Sequence, residues 1–306
     1  MSQLRIGISG WRYEPWRRVF YPAGLARRRE LEFASRQLNS IEVNGSFYSL
    51  QDVTSWQRWY SETPEDFVFS VKGSRFITHM KRLKRVEQPL ANFFAQGVLA
   101  LKEKLGPILW QFPPAFTFDL QRFEEFFKLL PQNMEEAVKL ARRHDERMAE
   151  SCWFRVDKVL LKRPVRHAVE IRHESFQSEK FLEQLQRCNI ALVLADTAGK
   201  WPFIEKVTSD FIYARLHGDR ELYASGYTPS ALDRWAKRVR TWRRKRLDVY
   251  VYFDNDVKVR APFDAVALAR RAGGFLPTQP MGKFPRKVKE EPRTSWPGYG
   301  SSRSRR

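Results

Sequence analysis

Eight short runs of apolar and β-branched residues constrain the fold of this 306-residue chain more than any other feature. Their length and composition are typical of strands that are buried on both faces of a parallel sheet. Amphipathic stretches lie between most of them, and several begin with a residue that can cap a helix, such as Thr54, Asp119 and Ser178. The runs span residues 4–9, 40–43, 67–72, 107–112, 167–171, 190–195, 211–216 and 248–253.

Strands that alternate with helices favour parallel pairing, and eight such units favour a closed barrel over an open sheet. The sequence therefore predicts the α/β class and a TIM-like (β/α)8 barrel. The link 196–210 between strands six and seven has only weak helical character, so one outer helix is expected to be reduced or missing there.

Two segments depart from the alternation. Residues 135–163 lengthen the connection between strands four and five, and their apolar stripe predicts a helical insertion. That stripe consists of Ala137, Leu140, Ala141, His144 and Met148. Residues 281–306 are rich in Lys, Arg, Pro, Gly and Ser, a composition that predicts a disordered basic tail. We therefore expect one barrel domain over residues 1–280 followed by a flexible tail.

The chain is strongly basic, with 55 Lys and Arg against 35 Asp and Glu and a net charge of +20. Residues 283–306 carry +6 of this charge, so the body keeps +14. A field of this sign attracts polyanions, so the expected partner is an anionic small molecule or a nucleic acid. The basic segment 72–85 follows a strand and is the better candidate for phosphate contacts, whereas the basic run 234–246 predicts an outer helix with a solvated surface.

Several classes of protein are disfavoured by what the sequence lacks. There is no run of about 18 apolar residues and no secretory leader, so we expect a cytoplasmic protein without a membrane partner. Cys152 and Cys188 are too few for a disulfide framework and are expected to be reduced thiols. No phosphate-binding loop, dinucleotide fingerprint or Gly-x-Ser-x-Gly elbow is found.

In a barrel of this kind the active site is built where the strands end, so polar residues at those positions are the site candidates. Alternation along a strand places Glu170 with Arg172 on one face, and Arg215 with His217 on another. The predicted catalytic residues are Glu42, Glu170, Asp196 and His217. The predicted substrate-binding residues are Trp11, Tyr13, Asn44, Tyr48, Lys72, Arg75, His79, Gln111, Arg172, Arg215, Tyr252 and Asn255.

The predicted roles follow from the chemistry of these side chains. Glu42 or Glu170 would act as general base, His217 would act as acid or orienting group, and the cationic residues would hold anionic groups. Structural alternatives stay open, since Glu170 and Arg172 could instead form a structural ion pair that closes the barrel mouth. Asp196, which precedes a threonine, also suits a turn or a helix start.

The cofactor stays unassigned. Carboxylate and imidazole side chains from four strands are of the types that bind divalent cations, but no local ligand spacing supports a metal site. A divalent metal is therefore kept as an alternative, with no residue assigned as its ligand.

The pattern also resembles the YecE-like family of barrel proteins, a domain of unknown function (number seventy-two). The resemblance rests on IGISGWRYEPWRRVFYP at 6–22, SIEVNGSFYSL at 40–50, TPEDFVFSVKGSRFITHMKRL at 63–83 and LGPILWQFPPAF at 105–116. It continues with HAVEIRHESF at 167–176, YARLHG at 213–218 and VYVYFDND at 249–256. The resemblance implies a TIM-like barrel with a shared pocket at the matched positions, and it names no reaction.

The function expected from these observations is an enzyme acting on an anionic substrate, phosphate-bearing or derived from nucleic acid. Hydrolase or phosphodiesterase-like and isomerase-like reactions are both compatible with the candidate residues. Two alternatives are a non-catalytic nucleic-acid-binding protein and a sensor that binds a small molecule in the same pocket without turnover. The oligomeric state is left open.

Overall fold

The computed structural model, which describes residues 2–146, 148, 152–275 and 277, is a closed barrel of eight parallel strands. Each strand pairs with its neighbours in chain order, and the last pairs with the first. The strands are β1 Leu4–Ser9, β2 Ser40–Val43, β3 Val68–Lys72, β4 Leu105–Gln111, β5 His167–Glu170, β6 Ala191–Asp196, β7 Phe211–Leu216 and β8 Asp248–Phe253. The predicted barrel is confirmed.

Helices surround this barrel and bury their apolar stripes against it. They are α1 Glu30–Gln37, α2 Gly45–Tyr48, α3 Val53–Glu62, α4 Glu87–Ala95, α5 Leu120–Leu129, α6 Met134–Ala141, α7 Glu179–Arg187, α8 Pro229–Arg244 and α9 Ala261–Ala272. Asp119 caps α5 as predicted, because its side chain accepts a hydrogen bond from the Arg122 amide. Thr54 instead lies inside the first turn of α3, which begins one residue earlier. The link 197–210 between β6 and β7 contains no helix, as its weak periodicity indicated.

The predicted insertion is helical over a shorter length than its stripe indicated. Helix α6 ends at Ala141, and within it Met134, Ala137, Val138 and Ala141 are buried. Leu140 is only half-buried, and His144 lies beyond the helix, where its ring stacks on Phe154. The predicted tail 281–306 lies outside the described residues.

The barrel has two hydrophobic layers, and they position the site. Residues on the outer faces of the strands, such as Ile8, Ile41 and Val169, pack with the helices. Residues on the inner faces fill the barrel itself, and near its amino-terminal end they are apolar or aromatic, as Val68, Leu109 and Val193 show. Toward the carboxyl ends of the strands the inward residues become polar and charged. We call this end the barrel mouth.

Candidate functional site

A cluster of buried ionisable side chains occupies the barrel mouth. Alternation along the strands turns Glu42 of β2, Glu170 of β5 and Arg215 of β7 inward, and the strand pairing aligns Gln111 with Glu170. Three more members come from the residues just beyond a strand. We call this set the charge cluster; it consists of Glu42, Glu170, Arg172, Arg215, His217 and Asp254.

Arg215 is the centre of the charge cluster and is completely buried. Its guanidinium donates from Nε and Nη2 to both oxygens of Glu42, at 3.0 and 2.9 Å. It also donates from Nη1 to Glu170 at 2.6 Å and from Nη2 to Asp254 at 2.9 Å. One buried cation therefore faces three carboxylates. Although burial opposes the charged form, these carboxylates raise the pKa of Arg215 well above its ordinary value.

The Glu42 carboxylate is also held by two hydroxyl groups inside the barrel. Ser9 Oγ donates to one oxygen at 2.9 Å, and the Tyr213 hydroxyl donates to the other at 2.6 Å. Ser9 is the last residue of β1 and Tyr213 lies in β7, and both side chains point into the barrel. Since each carboxylate oxygen receives two hydrogen bonds, Glu42 is fixed in orientation.

Glu170 connects the centre of the cluster to its rim. Arg172 donates from Nε to Glu170 Oε1 at 2.8 Å, and its guanidinium lies 3.9 Å from the ring centre of Trp201. The Tyr223 hydroxyl is 3.4 Å from Arg172 Nη2. Burial would raise the pKa of Glu170, but the charges of Arg215 and Arg172 outweigh it and lower this pKa well below its ordinary value.

His217 is buried beside Asp254. Its Nδ1 lies 3.0 Å from Asp254 Oδ2, although the ring is not aligned for a hydrogen bond. Its Nε2 lies 3.5 Å from Arg215 Nη1. Burial and the charge of Arg215 lower the pKa of His217, so the imidazole is neutral near pH 7.

Lys72 stands apart from the ion pairs of the cluster. It ends β3 on the inward face, is 8% exposed, and places Nζ 4.3 Å from the ring centre of Phe47. Within the described part of the chain its ammonium has no hydrogen bond and no carboxylate within 4.0 Å. Burial and the charge of Arg215 lower the pKa of Lys72 to about 8, against the opposing effect of the nearby carboxylates.

The rim beyond Lys72 carries further positive charge. Burial together with the charges of Lys72, Arg172 and Arg75 lowers the pKa of His79 to about 4. Arg75 is exposed, and its guanidinium lies 5.8 Å from the ring centre of Tyr48, which is 67% exposed. The predicted residues Lys72, Arg75, His79 and Tyr48 therefore line one side of the mouth.

An acidic pair lies near β1 and β8. Burial raises the pKa of Asp256 to about 7, and the charge of Asp254 adds to this, whereas a hydrogen bond with Tyr13 opposes it. Burial and the same two aspartates raise the pKa of the Tyr13 hydroxyl. Asn44 lies beside Tyr13, and its Oδ1 is buried without a hydrogen-bond partner in the described structure. Two aspartates two residues apart thus have pKa values displaced in opposite directions.

Four predicted site residues lie away from the cluster. Asp196 faces the outer layer, where it accepts a hydrogen bond from Trp235 Nε1 of α8 at 3.2 Å. Asn255 also turns outward and donates to Asp264 of α9 at 2.9 Å. Trp11 packs edge-on against Trp59 of α3, and the Tyr252 hydroxyl bonds Ser40 one layer below the mouth. For Asp196 and Asn255 the reason is alternation, since neighbours along a strand end point to opposite faces. Tyr252 faces inward, but one layer too deep to reach the charge cluster.

Sequence reasoning missed Asp254, Asp256, Trp201 and Tyr223. Asp254 was accessible to it, because Tyr252 and Asp254 share the inward face by the alternation that selected Arg215 and His217. Trp201 and Tyr223 come from loops without periodicity, so no local signal placed them at the mouth.

No group of three or more His, Cys, Asp or Glu side chains is arranged to hold a metal ion within the described ranges. The carboxylates of the charge cluster are instead engaged by guanidinium groups. Two clefts of about 480 and 380 Å³ lie on the outer helices, one between α5 and α7 and one between residues 83–87 and α5. Neither cleft is lined by a member of the charge cluster, so both are separate from the mouth. In the part of the chain that the structure covers, no helix is long and apolar enough to span a bilayer.

Comparison with known proteins confirms the resemblance read from the motifs. Residues 5–285 match the family described as "Protein of unknown function DUF72". The chain is 30% identical over 118 residues to the UPF0759 protein YunF of Bacillus subtilis (strain 168). This match covers 37% of the chain and 41% of YunF. It is 26% identical over 138 residues to the UPF0759 protein YecE of Escherichia coli (strain K12), covering 45% of this chain and 48% of YecE. The chain thus spans about half the length of these curated relatives.

Solved structures show the same fold. A DUF72 family protein from Thermotoga maritima MSB8 superposes with a TM-score of 0.70 at 24% identity, covering 88% of this chain and 98% of that one. A DUF72 family protein from Enterococcus faecalis V583 gives a TM-score of 0.69 at 15% identity, covering 94% and 100%. At these identities the likeness concerns the barrel alone.

Proposed function

Since this chain belongs to the DUF72 family of proteins of unknown function, we propose its activity from the chemistry of its barrel mouth. We propose an enzyme that acts on an anionic substrate, phosphate-bearing or derived from nucleic acid, at the carboxyl ends of the strands. Fixed charges in a site from which water is excluded stabilise developing charge more strongly than the same groups in water.

The observation that carries this proposal is the ammonium group of Lys72. A buried cation without a direct ion pair or hydrogen bond is costly, and an anionic group of a substrate would supply the missing partner. Arg172, on the face of Trp201, and the exposed Arg75 add positive charge at the same mouth. Arg215 is not available for this role, because Glu42, Glu170 and Asp254 already occupy its guanidinium.

Proton transfer in the proposed reaction is assigned to Asp256 beside Tyr13. A general acid or base works best when its pKa lies near the operating pH, and Asp256 meets this condition. Glu42 and Glu170, the bases expected from the sequence, are neutralised by Arg215, so we assign them to fixing its position. His217, neutral and next to Asp254, keeps an orienting role. Acid–base chemistry of this kind serves both isomerisation and hydrolysis.

The test is a search for turnover combined with binding. Phosphorylated sugars and mononucleotides are incubated with the protein and followed by proton and phosphorus NMR, and their binding is measured by calorimetry. We expect wild-type protein to convert at least one of them. Asp256→Asn should slow that conversion by about a hundredfold or more while leaving binding in place. Lys72→Met should weaken binding by about tenfold.

Lys180→Met is the matched control, because Lys180 is exposed on α7, and it should leave binding and turnover unchanged. A compound that binds through Lys72 but is not converted would contradict catalysis and establish a sensor. Binding that is equal in wild type and Lys72→Met would remove the barrel mouth as the anion site.

Helix α8 favours a second candidate function, non-catalytic binding of nucleic acid. Trp235, Val239 and Trp242 are buried against the barrel. The opposite face is exposed and basic, with Arg234, Lys237, Arg240 and Arg244. Exposed cations spaced along one helix face suit the phosphates of a duplex or a single strand.

This candidate is tested by the salt dependence of oligonucleotide binding, measured by fluorescence anisotropy. Changing the four exposed α8 residues to Ser should weaken binding and reduce the slope of log affinity against log salt by about 0.9 for each phosphate that the helix no longer neutralises. The control changes Lys128, Lys139, Lys158 and Lys180 to Ser and so removes the same charge from other exposed surfaces. If the α8 substitutions and the control substitutions weakened binding equally, the binding would be non-specific electrostatic attraction and not contact with α8.

A further inference from the structure

We propose that Lys72 is a nucleophile, and that its amino group forms an imine with the carbonyl carbon of an aldehyde or ketone that carries a phosphate or carboxylate group. The inference rests on the proposed anion site and deepens it, since it names the reactive group of the substrate. In this assignment Arg172, Arg75 and the ammonium form of Lys72 attract the anionic group into the mouth, and the neutral form of Lys72 attacks the carbonyl carbon.

A comparison with a second buried lysine supports a chemical role for Lys72. Lys104 is 4% exposed, and its Nζ donates to the carbonyl oxygens of Tyr60 and Thr63 at 2.7 and 2.8 Å and lies 3.3 Å from Thr63 Oγ1. That is how a structural lysine is satisfied when it leaves water. Lys72 is almost as buried, yet within the described residues its ammonium has no hydrogen bond and no ion pair, and it lies 4.3 Å from the ring centre of Phe47. The fold stabilises Lys104 and leaves Lys72 available.

The position of Lys72 also suits attack on a bound molecule. It is the last residue of β3 and points into the mouth, beside the charge cluster and below the rim formed by Arg75 and His79. A side chain on a strand is held more rigidly than one on a loop, so its amino group has a defined direction. A substrate that enters the mouth would meet this group next to fixed positive charges.

The charged groups around Lys72 favour its neutral, nucleophilic form. Burial and the neighbouring Arg215 lower its pKa, whereas Glu42, Asp254 and Glu170 oppose this, and the result is about 8. An exposed lysine has a pKa of about 10.4, so at pH 7 the free-amine fraction of Lys72 is on the order of 100-fold larger. The charge of the adjacent Arg215 thus adds to the effect of burial.

The reaction balances without an oxidant or a further reactant. The lone pair of the neutral amine attacks the carbonyl carbon, the carbonyl π electrons move to oxygen, and a proton transfer from nitrogen to oxygen gives a carbinolamine. The C–O bond then breaks with its electron pair on oxygen, the oxygen leaves as water after taking a proton, and a C=N bond forms. Starting from the ammonium, the products are one protonated imine and one water, with no net change in protons.

The test is reductive trapping on the full chain. The protein is incubated at pH 7 with glyceraldehyde 3-phosphate and sodium cyanoborohydride, whose hydride reduces the imine to a stable secondary amine, and the labelled lysines are found by peptide mass spectrometry. We expect Lys72 to be labelled at least about tenfold faster than the exposed Lys180 and Lys237, in keeping with its larger free-amine fraction. Inorganic phosphate should slow this labelling by competition.

Two comparisons make the outcome specific. Uncharged glyceraldehyde should label Lys72 more slowly than the phosphate ester, and equal rates would overturn the requirement for an anionic group. Lys72→Arg, which keeps the charge but loses the nucleophile, should lose the fast label and leave the slow labelling of Lys180 and Lys237 as in wild type. The site-resolved labelling of wild type does not depend on whether this variant folds.

Failure of this inference is distinguishable from failure of the proposed function. Labelling of Lys72 no faster than Lys180, with phosphate binding still weakened by Lys72→Met, would overturn the nucleophile and leave the anion site standing. Phosphate binding that is unaffected by Lys72→Met, together with no preferential label, would overturn both.

Discussion

Arg215 Nη1 lies 2.6 Å from Glu170 Oε2, and both side chains are completely buried at the barrel mouth. The same guanidinium bonds Glu42 and Asp254, so it compensates three carboxylates that come from three other strands or strand ends. Burying charges costs free energy, and the cost is offset only while every partner is present. This arrangement makes Arg215 the residue on which the geometry of the cluster depends.

Arg215→Met should therefore destabilise the protein strongly. The variant leaves Glu42, Glu170 and Asp254 buried without their shared partner, and removal of one member of a buried ion pair costs about 3–5 kcal/mol. Urea denaturation measures the change in the free energy of unfolding. Arg238→Met is the control, since it breaks the solvent-exposed pair with Glu205 and should cost less than about 1 kcal/mol. A similar small loss for both would mean that the network contributes little to stability.

The stability of the fold should decline in acid because of Glu170. Arg215 and Arg172 hold its pKa below the value of about 4.3 that it has in an unfolded chain. The carboxylate therefore contributes stability that is present above about pH 4.3 and is lost as the pH falls toward the lower folded-state pKa. Urea denaturation at pH 3, 4 and 7 should show this loss in wild type and a smaller pH dependence in Glu170→Gln. Equal pH dependence in both proteins would contradict the assignment.

The fold was predictable from the sequence because its signals are local. Buried parallel strands are short apolar runs, so β1, β2, β7 and β8 could be bounded to the residue. The length of α6 could not, because the apolar stripe continues past Ala141 while the helix ends there. Periodicity records which residues favour one face, and it does not record where tertiary packing stops a helix.

The candidate site was predictable only as far as alternation reaches. Alternation placed Glu42, Glu170 and Arg215 on the inner face. It did not show that Arg215 would form ion pairs with three carboxylates while Lys72, among the residues that the structure describes, would form no ion pair. That distribution depends on distances across the barrel, between strands that lie far apart along the chain. Asp196 and Asn255 lie away from the charge cluster for a simpler reason, since both are on the outward face at their strand ends.

Asn255→Ala tests whether Asn255 supports the fold rather than the binding site. Its Nδ2 donates to Asp264 Oδ2 at 2.9 Å and to the Ser225 carbonyl oxygen at 3.0 Å, which ties α9 to the loop after β7. Loss of these bonds leaves buried acceptors unpaired and should cost about 1–3 kcal/mol in thermal or urea unfolding. Phosphate affinity, measured by calorimetry, should stay unchanged. Gln177→Ala, at an exposed position, should alter neither quantity. A phosphate affinity weakened in Asn255→Ala alone would show that Asn255 contributes to the binding site.

Asp256→Asn should change the pH dependence of stability in the opposite direction from Glu170→Gln. Burial and the charge of Asp254 raise the pKa of Asp256 to about 7, whereas an aspartate in an unfolded chain has a pKa of about 3.9. The stability that this protonated carboxyl contributes is fully present below about pH 3.9 and is lost as the pH rises through 7. The amide has no such ionisation.

Between pH 5 and pH 8 the free energy of unfolding of Asp256→Asn should therefore rise relative to wild type, by on the order of 1–3 kcal/mol. Urea denaturation of both proteins at the two pH values gives this difference directly. Asp52→Asn, the same chemical change at the exposed start of α3, shows how much of it comes from the amide itself. A difference that stays constant from pH 5 to pH 8 would mean that Asp256 ionises alike in the folded and unfolded chains. Asp256 would then lose its proton-transfer role, and the mouth would lack the acid–base group on which the proposed catalysis depends.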